Sequence, residues 1–334
     1  MMLQTRRLFR QIVKISLVSI LANVVSASGA LAEDQPACPA LSWTTLGTAG
    51  GPIPFADRSE PANLLQAGEQ LILVDVGDGT SNQLAKVGLS TGDITAAFIS
   101  HHHMDHTAGL AALIGFRWMN NVREVLTIYG PPGTQELVDA TIASMRPQQR
   151  VGIGLGRPDP DPANLVRVVE LHDQSAVQLG ALTVTAARNS HFDHDGIPEE
   201  RYLSLSYRFD FDGRSIAYSG DTGPSAAFER LAENVDMLVS EVFDYDGMVE
   251  SVVVPLPPEV GATVRAHFAE HHLTGIEAGK LAATSNSQSL LLTHYGIPGP
   301  LVQSQNALLT AIRSNYSGTV HFGRDLALYD VGCD

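Results

Sequence analysis

The run of six residues from His101 to His106 is the sequence feature that most constrains the fold. It contains four histidines and one aspartate, and it follows directly on the apolar stretch 97–99. Ionisable side chains are rarely buried without partners, so such a run belongs at the end of a strand and not in a core. Imidazole and carboxylate groups suit a divalent metal such as zinc. The spacing of His101, His103, Asp105 and His106 therefore predicts a metal site.

Short apolar strands alternate with helical stretches from about residue 41 onward, which indicates a layered α/β protein. The predicted strands cover residues 71–76, 96–100, 125–129, 182–187, 203–209, 215–218, 237–241 and 289–293. The predicted helices cover residues 81–86, 109–114, 134–145, 225–231, 258–269, 274–284 and 301–312.

Three further strand ends carry a histidine or an aspartate, namely His191, Asp221 and His294. In layered α/β proteins, functional sites collect at the carboxyl ends of strands. These residues are therefore candidates for the same metal site as the histidine-rich run. His194, three residues after His191, is the alternative candidate at that strand end.

The first 32 residues have the three-part pattern of a secretory signal peptide. Basic residues at 6, 7, 10 and 14 precede an apolar stretch over 15–25, and small residues follow up to Ala32. That stretch is shorter than the ~20 residues that span a bilayer, so we expect cleavage after Ala32 and not a membrane anchor. The expected product is a single domain over residues 33–334, periplasmic or secreted, with no membrane contact.

The mature chain would be strongly acidic. Removing the four basic residues of the leader leaves 17 basic against 36 acidic residues, a formal charge of −19. Nucleic acids are themselves densely negative, so this balance favours a small-molecule substrate and argues against a nucleic-acid partner.

Two other features leave alternatives open. Cys38 and Cys333 lie at opposite ends of the mature chain, and in an oxidising compartment they would form a disulfide; two unrelated free thiols are the alternative. The stretch at about 147–164 is rich in glycine and proline, which predicts an irregular insertion. It is either a surface loop or a loop over the active site.

Several motifs together resemble the metallo-β-lactamase superfamily and, within it, the ribonuclease Z and arylsulfatase-like branch. The resemblance covers about residues 41–322. The motifs, with the number of the first residue, are LGTAGGPIP (46), LVDVG (73), HHHMDH (101), YGPPGT (129), NSHF (189), YSGDTGP (218), SE (240), HLT (272) and LTH (292).

The resemblance implies a four-layer αβ/βα sandwich, in which two mixed β-sheets face each other with helices outside. It also implies two metal ions per chain, with zinc expected and manganese or iron also suited to the donors. By the matching motifs, one ion would be bound by His101, His103 and His191. The other would be bound by Asp105, His106 and His294, with Asp221 bridging the two. Asp75 would support the metal-binding loop.

The resemblance further implies a hydrolase in which a hydroxide between the metals is the nucleophile. Asp105 would orient this hydroxide while it binds one metal. His272 would donate a proton to the leaving group, with either Glu241 or Glu270 beside it.

We therefore expect an exported dinuclear-zinc hydrolase of small sulfate or phosphate esters, similar to arylsulfatases and phosphodiesterases. The alternatives are a lactonase or β-lactamase-type acyl hydrolase, which would use the same nucleophile on a carbonyl, and a non-catalytic zinc-binding protein of the envelope. A homodimer is common in the family and is compatible with this chain.

Overall fold

The computed structural model describes residues 40–51, 53–152, 154, 160–193 and 202–332, all within the unit Cys38–Asp334. The predicted leader 1–32, His194, Cys38 and Cys333 lie outside these ranges. The signal peptide and the disulfide therefore stay predictions. Among the described helices, none combines the length and the apolar character that crossing a membrane requires.

Fourteen strands and ten α-helices make up the described chain. The strands are β1 (Leu41–Gly47), β2 (Ala62–Ala67), β3 (Gln70–Val76), β4 (Ala96–Phe98), β5 (Leu126–Gly130), β6 (Val166–Glu170), β7 (Ala176–Leu179), β8 (Leu182–Arg188), β9 (Leu205–Phe211), β10 (Arg214–Tyr218), β11 (Met237–Phe243), β12 (Ser289–Gly296), β13 (Thr319–Phe322) and β14 (Ala327–Asp330). The helices are α1 (Thr80–Lys86), α2 (Met104–Thr107), α3 (Leu110–Met119), α4 (Thr134–Ser144), α5 (Arg146–Val151), α6 (Ala226–Leu231), α7 (Tyr245–Met248), α8 (Pro258–Glu270), α9 (Gly275–Thr284) and α10 (Leu301–Arg313). A π-helical turn at Val249–Val253 follows α7.

The strands form two seven-stranded sheets with the same internal plan. The first has the order β14-β1-β2-β3-β4-β5-β6 and the second β13-β12-β11-β10-β9-β8-β7. In the first sheet the pairs from β14 to β3 are antiparallel and those from β3 to β6 are parallel. In the second, the pairs from β13 to β10 are parallel and those from β10 to β7 are antiparallel. Both sheets are thus mixed, as the family resemblance implies.

Three hydrophobic clusters define the layers. The central cluster takes side chains from both sheets, and Trp43, Phe98, Phe209 and Tyr218 are among its largest members. One outer cluster joins the first sheet to α1, α3 and α4, and the other joins the second sheet to α6, α9 and α10. Two facing sheets with helices outside form the predicted αβ/βα sandwich, and this fold class is confirmed.

The stretch 147–164 is more regular than its composition predicts. Helix α5 covers its start, with Pro147 in the first turn, where a missing N–H costs nothing. A 3₁₀ turn, Pro162–Leu165, closes it, while residues 153 and 155–159 lie outside the described ranges. Trp118 is buried and donates from Nε1 to the Pro160 carbonyl at 2.9 Å, which ties the end of this stretch to α3.

Two strands carry a β-bulge where the site begins. In the pairing of β2 with β3, Asp75 is the unpaired residue and has a φ of 60°. In the pairing of β11 with β12, His294 is the unpaired residue and has a φ of 43°. Bulges bend a strand and redirect a side chain, and they are frequent next to active sites. Here they aim a carboxylate and an imidazole at the same edge of the sandwich.

Candidate metal centre

The histidine-rich run lies where β4 gives way to α2. Its first histidine, His101, is fully buried, and His103, with an extended backbone, is the residue before the first turn of α2. Asp105 and His106 fall inside that turn. Because an extended segment and a helical turn meet within six residues, alternate side chains converge instead of spreading along one line.

The first cluster contains three histidines and one oxygen of an aspartate. His103 Nδ1 lies 3.0 Å from His101 Nε2 and 3.2 Å from His191 Nε2. Asp221 Oδ2 lies 3.9 Å from the Nε2 atoms of both His101 and His191. One nitrogen or oxygen from each of these four residues lies within 4.8 Å of every other, which suits a single metal ion.

The second cluster contains Asp105, His106, His294 and the other oxygen of Asp221. Asp221 Oδ1 is 3.3 Å from His106 Nε2 and 3.1 Å from His294 Nε2. Asp105 Oδ2 lies 3.4 Å and 3.5 Å from the same two nitrogens. Asp221 thus turns one oxygen to each cluster, and the structure brings all seven predicted ligand residues together in the predicted partition.

Unbalanced polar atoms test whether these residues fit metal ions. Asp221 Oδ1 is buried without a hydrogen-bond partner, a costly state for a carboxylate oxygen. Burial works to lower the pKa of His294, but the carboxylates of Asp221 and Asp105 raise it to about 9. Burial likewise opposes charge on His106, and Asp221, Asp105 and Asp75 raise its pKa well above the usual value. The site therefore requires positive charge, which two divalent cations supply, and the residues fit.

Asp75 holds the second cluster in place from beneath. Its carboxylate accepts hydrogen bonds from the Ser100 N–H at 2.7 Å, the Ser100 hydroxyl at 2.9 Å and the Tyr218 hydroxyl at 2.7 Å. A fourth contact, 2.8 Å long, joins it to His106 Nδ1. With Nδ1–H donating to Asp75, Nε2 of His106 is left facing the cluster, which fixes the tautomer that metal binding needs.

A second device of this kind holds His191. Its Nδ1 lies 3.0 Å from the carbonyl oxygen of His271, so Nδ1–H donates there and Nε2 faces the first cluster. His271 Nδ1 in turn lies 3.0 Å from the Ser190 carbonyl oxygen. The paired contacts tie the loop that carries His191 to the end of α8.

His272 and Glu241 form a buried pair beside both clusters. His272 Nδ1 is 2.8 Å from Glu241 Oε2, and Glu241 Oε1 accepts from the Thr222 N–H at 2.5 Å. Glu270, the other candidate partner, is exposed and comes no closer than 4.0 Å to the ring of His271. The structure therefore selects Glu241.

Burial acts on the two members of this pair in opposite senses. It raises the pKa of Glu241 well above its usual value and lowers the pKa of His272 to about 4. The 2.8 Å contact commits Nδ1 to Glu241, which leaves the second ring nitrogen, Nε2, to carry an N–H towards the substrate. An N–H on that edge is the donor that a leaving-group oxygen needs.

Backbone closeness explains the glycine-rich LGTAGGPIP motif. Gly51 N–H donates to Asp105 Oδ2 at 3.1 Å, and a Cβ on Gly51 would lie 2.3 Å from that oxygen. Two more aromatic rings lie beside the site. Phe192 packs at 5.5 Å and 5.1 Å, between ring centroids, from His101 and His103. His267 also lies beside the site, although it was not predicted to be a site residue. It lies on the predicted helix 258–269, about one helical turn before His271, and this spacing was a usable signal.

Comparison with known proteins supports the resemblance to the metallo-β-lactamase superfamily. The family model for the β-lactamase superfamily domain matches residues 71–295. Ribonuclease Z of Mycobacterium bovis is 30% identical over 298 residues, which cover 87% of this chain and 98% of that protein. Human tRNase Z, short form, superposes with a TM-score of 0.61 at 22% identity, over 87% of this chain and 100% of its own. The metallo-β-lactamase fold protein YhfI from Bacillus subtilis gives 0.62 at 21% identity, over 87% and 99%.

The chain is a metallo-β-lactamase superfamily protein. Within that superfamily it belongs to the ribonuclease Z branch. It is therefore a metal-dependent hydrolase of ester bonds, and the non-catalytic alternative is wrong. Two zinc ions per chain are the cofactor that the family and the two clusters of donors support.

These relatives correct the substrate expected from the sequence. The expected arylsulfatase-like hydrolase of small sulfate or phosphate esters is wrong, and so is the acyl hydrolase alternative, because relatives aligned over nearly their whole length are ribonucleases. The expectation of no nucleic-acid partner is wrong for the same reason. Net charge was a poor guide to the substrate because it sums the charges of the whole surface, whereas at physiological salt a single charge acts over only ~8 Å. A periplasmic or secreted location, inferred from residues 1–32, stays a prediction.

Proposed function

We propose that this chain is a zinc-dependent endonuclease of the ribonuclease Z type that cleaves a phosphodiester bond of tRNA precursors at the 3′ side. The names of its relatives, ribonuclease Z and tRNase Z, supply the substrate class. Because the chain is acidic, we expect it to bind RNA through a few contacts close to the scissile bond and not through a wide basic surface.

One observation carries the proposal, namely the position of the Glu241–His272 pair. The ring centroid of His272 lies 5.0 Å from that of His191 in the first cluster and 6.5 Å from that of His294 in the second. A phosphate that spans the two clusters would therefore have an imidazole beside it. Phosphodiester hydrolysis needs this arrangement because the departing oxygen is a poor leaving group until it is protonated.

The roles of the chain's residues follow from this placement. His101, His103, His191 and Asp221 would hold one zinc ion, and Asp105, His106, His294 and Asp221 the other. When bound, the ions supply Lewis-acid stabilisation of the charge that develops on the phosphate, and they acidify the attacking water.

The remaining chemistry belongs to side chains around the two ions. Asp105 Oδ2 would orient the attacking water by accepting its hydrogen bond. Glu241 holds the ring of His272 so that Nε2–H donates to the leaving oxygen. Phe243 stacks on the ring of His272 at 4.8 Å between centroids and excludes water from that face.

The test is cleavage of a tRNA precursor with a 3′ trailer by the purified protein over residues 33–334. We expect a single cut near the 3′ end that a chelator abolishes and zinc restores. Bis-p-nitrophenyl phosphate should be a slower substrate, while p-nitrophenyl sulfate, a homoserine lactone and nitrocefin should not be hydrolysed. Turnover of the sulfate ester with no cleavage of RNA would overturn the proposal.

Two variants locate the activity in this site. His272→Ala should lower kcat on the precursor by about 10²-fold or more, the usual contribution of general acid catalysis, with zinc content unchanged. His172→Ala removes an exposed histidine near β7 and should leave both kcat and zinc content unchanged. Equal activity in the two variants would remove His272 from the mechanism.

A further inference from the structure

Helix α8 forms one wall beside the Glu241–His272 pair. Its last turn is fixed from two sides: His271 exchanges contacts with Ser190 and His191, and Phe268 packs on Phe243 at 4.8 Å between ring centroids. A side chain on this turn is therefore held in a defined place, as a substrate contact requires.

His267 lies on that turn and completes a group of four imidazoles. Its ring centroid is 5.7 Å from His191, 5.3 Å from His272 and 5.2 Å from His271. His191, His271 and His272 are all buried, whereas His267 is only half-buried. It is therefore the member of the group that a molecule arriving from solvent meets first.

The position of His267 relative to His272 indicates which part of a substrate it touches. His272 would donate its proton to the oxygen that leaves, so the group attached to that oxygen must extend past His272 towards solvent. Of the four imidazoles in this group, His267 is the most exposed, so it is the one placed to meet that part of the substrate. An imidazole N–H is a good donor to the phosphate and hydroxyl oxygens of a nucleotide.

We propose that His267 is a substrate-binding residue that donates a hydrogen bond to an oxygen of the first nucleotide of the leaving fragment. This inference rests on the proposed function, because it needs a leaving group that is itself a nucleotide. It assigns specificity for RNA over simple diesters to α8, which lies between the two members of the catalytic pair in the sequence.

The experiment compares two leaving groups in the zinc-loaded protein. The tRNA precursor leaves a nucleotide, whereas bis-p-nitrophenyl phosphate leaves a phenolate without sugar or phosphate. His267→Ala should raise KM for the precursor by about tenfold, the loss expected for one hydrogen bond to a charged or polar oxygen. KM and kcat for bis-p-nitrophenyl phosphate should stay within twofold, and two zinc ions per chain should remain.

Two further variants control for disturbance of the helix. His267→Gln keeps an N–H donor and should restore part of the affinity for RNA. Arg265→Ala truncates an exposed side chain on the opposite face of α8, about a helix diameter of 10 Å away and beyond the ~8 Å range of a screened charge. It should leave KM for both substrates within twofold.

The outcomes separate the inference from the function on which it rests. Wild-type protein that cleaves bis-p-nitrophenyl phosphate but no RNA would refute the proposed function, and the inference with it. Wild-type protein that cleaves RNA, together with an unchanged KM in His267→Ala, would refute the inference alone. Equal losses on the two substrates would also refute it, because they would show a structural role for His267.

Discussion

Replacing Asp75 by asparagine tests how strongly a buried carboxylate outside the metal clusters controls them. The change removes a charge and one acceptor but little volume, and asparagine tolerates the positive φ of 60° found here. Backbone strain is thus kept out of the measurement, and the effect comes from hydrogen bonding.

The size of the effect follows from the four contacts of the carboxylate. Oδ1 accepts from the Ser100 N–H, and Oδ2 accepts from the Ser100 and Tyr218 hydroxyls and faces His106 Nδ1. Whichever oxygen of Asp75 the NH₂ group of asparagine replaces, that group faces a hydrogen-bond donor and cannot accept from it. The hydroxyls can rotate, but a backbone N–H cannot, and His106 would have to change its tautomer. One or two buried donors lose their partner, so the expected loss of stability is about 1–6 kcal/mol at 1–3 kcal/mol for each.

Metal affinity should fall as well, and it should fall at one of the two ions. Only His106 among the ligand residues contacts Asp75, so the second cluster loses the group that orients its imidazole. Loss of such a partner typically weakens metal binding by 10–100-fold. Competition with a chromogenic chelator should show one zinc ion released about 10–100 times more readily, with the other within twofold of wild type.

Asp236→Asn is the matched control. Its carboxylate accepts from the Ser215 N–H at 2.7 Å and from Gln288 Nε2 at 2.9 Å, and it contacts no ligand residue. It should lower the unfolding free energy of the zinc-free protein, measured in urea, with both zinc affinities unchanged. If Asp75→Asn loses stability yet binds both ions with wild-type affinity, the orienting role of Asp75 is wrong.

Four other expectations are open to direct measurement. Glu241→Gln should lower kcat on the precursor by about 10²-fold with zinc content unchanged, because the amide no longer supplies the proton of the pair; unchanged kcat would contradict the role given to Glu241. Gly223→Ala places a Cβ 1.9 Å from the Glu270 carbonyl oxygen and should cost about 1–3 kcal/mol in urea unfolding, whereas Gly115→Ala, inside α3 with the added Cβ at an ordinary contact distance of 3.8 Å from Met145 Cε, should be neutral or stabilising. A plot of log kcat/KM for RNA against log salt should have a slope no steeper than about −2, which corresponds to about three neutralised phosphates; a slope near −5 would show a wide basic interface. If the leader is cleaved as its pattern predicts, the first residue of the exported protein, read by N-terminal sequencing, is Glu33.

The sequence predicted the middle of each sheet better than its edges. Predicted strand 71–76 is β3, and predicted helix 134–145 is α4 to within a residue. Strand β1 was not predicted because its alternation of apolar and polar residues lasts only from Leu41 to Thr44 and breaks at Thr45, which is too short to mark a strand. Strands β13 and β14 have four residues each and gain their stability from neighbours far away in the chain, which local patterns do not report.

The site shows the same division between local and tertiary information. The metal-ligand candidates were visible because each follows an apolar strand, and strand ends meet at one edge of a sheet. The partner of His272 was not visible, because Glu241 and Glu270 are equally plausible along the chain and only the pairing of β11 with its neighbours brings the former within 2.8 Å.

Each of the two sheets carries one bulge next to the site, but the residues at the two bulges have different roles. Asp75 in the first sheet supports a ligand, whereas His294 in the second sheet is itself a ligand candidate. Asp75 and His294 are both unpaired residues with positive φ, one at the end of β3 and one within β12. A non-glycine residue in this region costs about 1–3 kcal/mol and persists where the surroundings impose it. At Asp75, the four contacts of the carboxylate offset this cost. His294 has Nδ1 buried without a hydrogen-bond partner, 3.8 Å from Glu241 Oε2, and its Nε2 lies 3.1 Å from Asp221 Oδ1. A cation that joined Nε2 to the second cluster would offset part of this strain. The zinc-loaded protein should therefore be the more stable form.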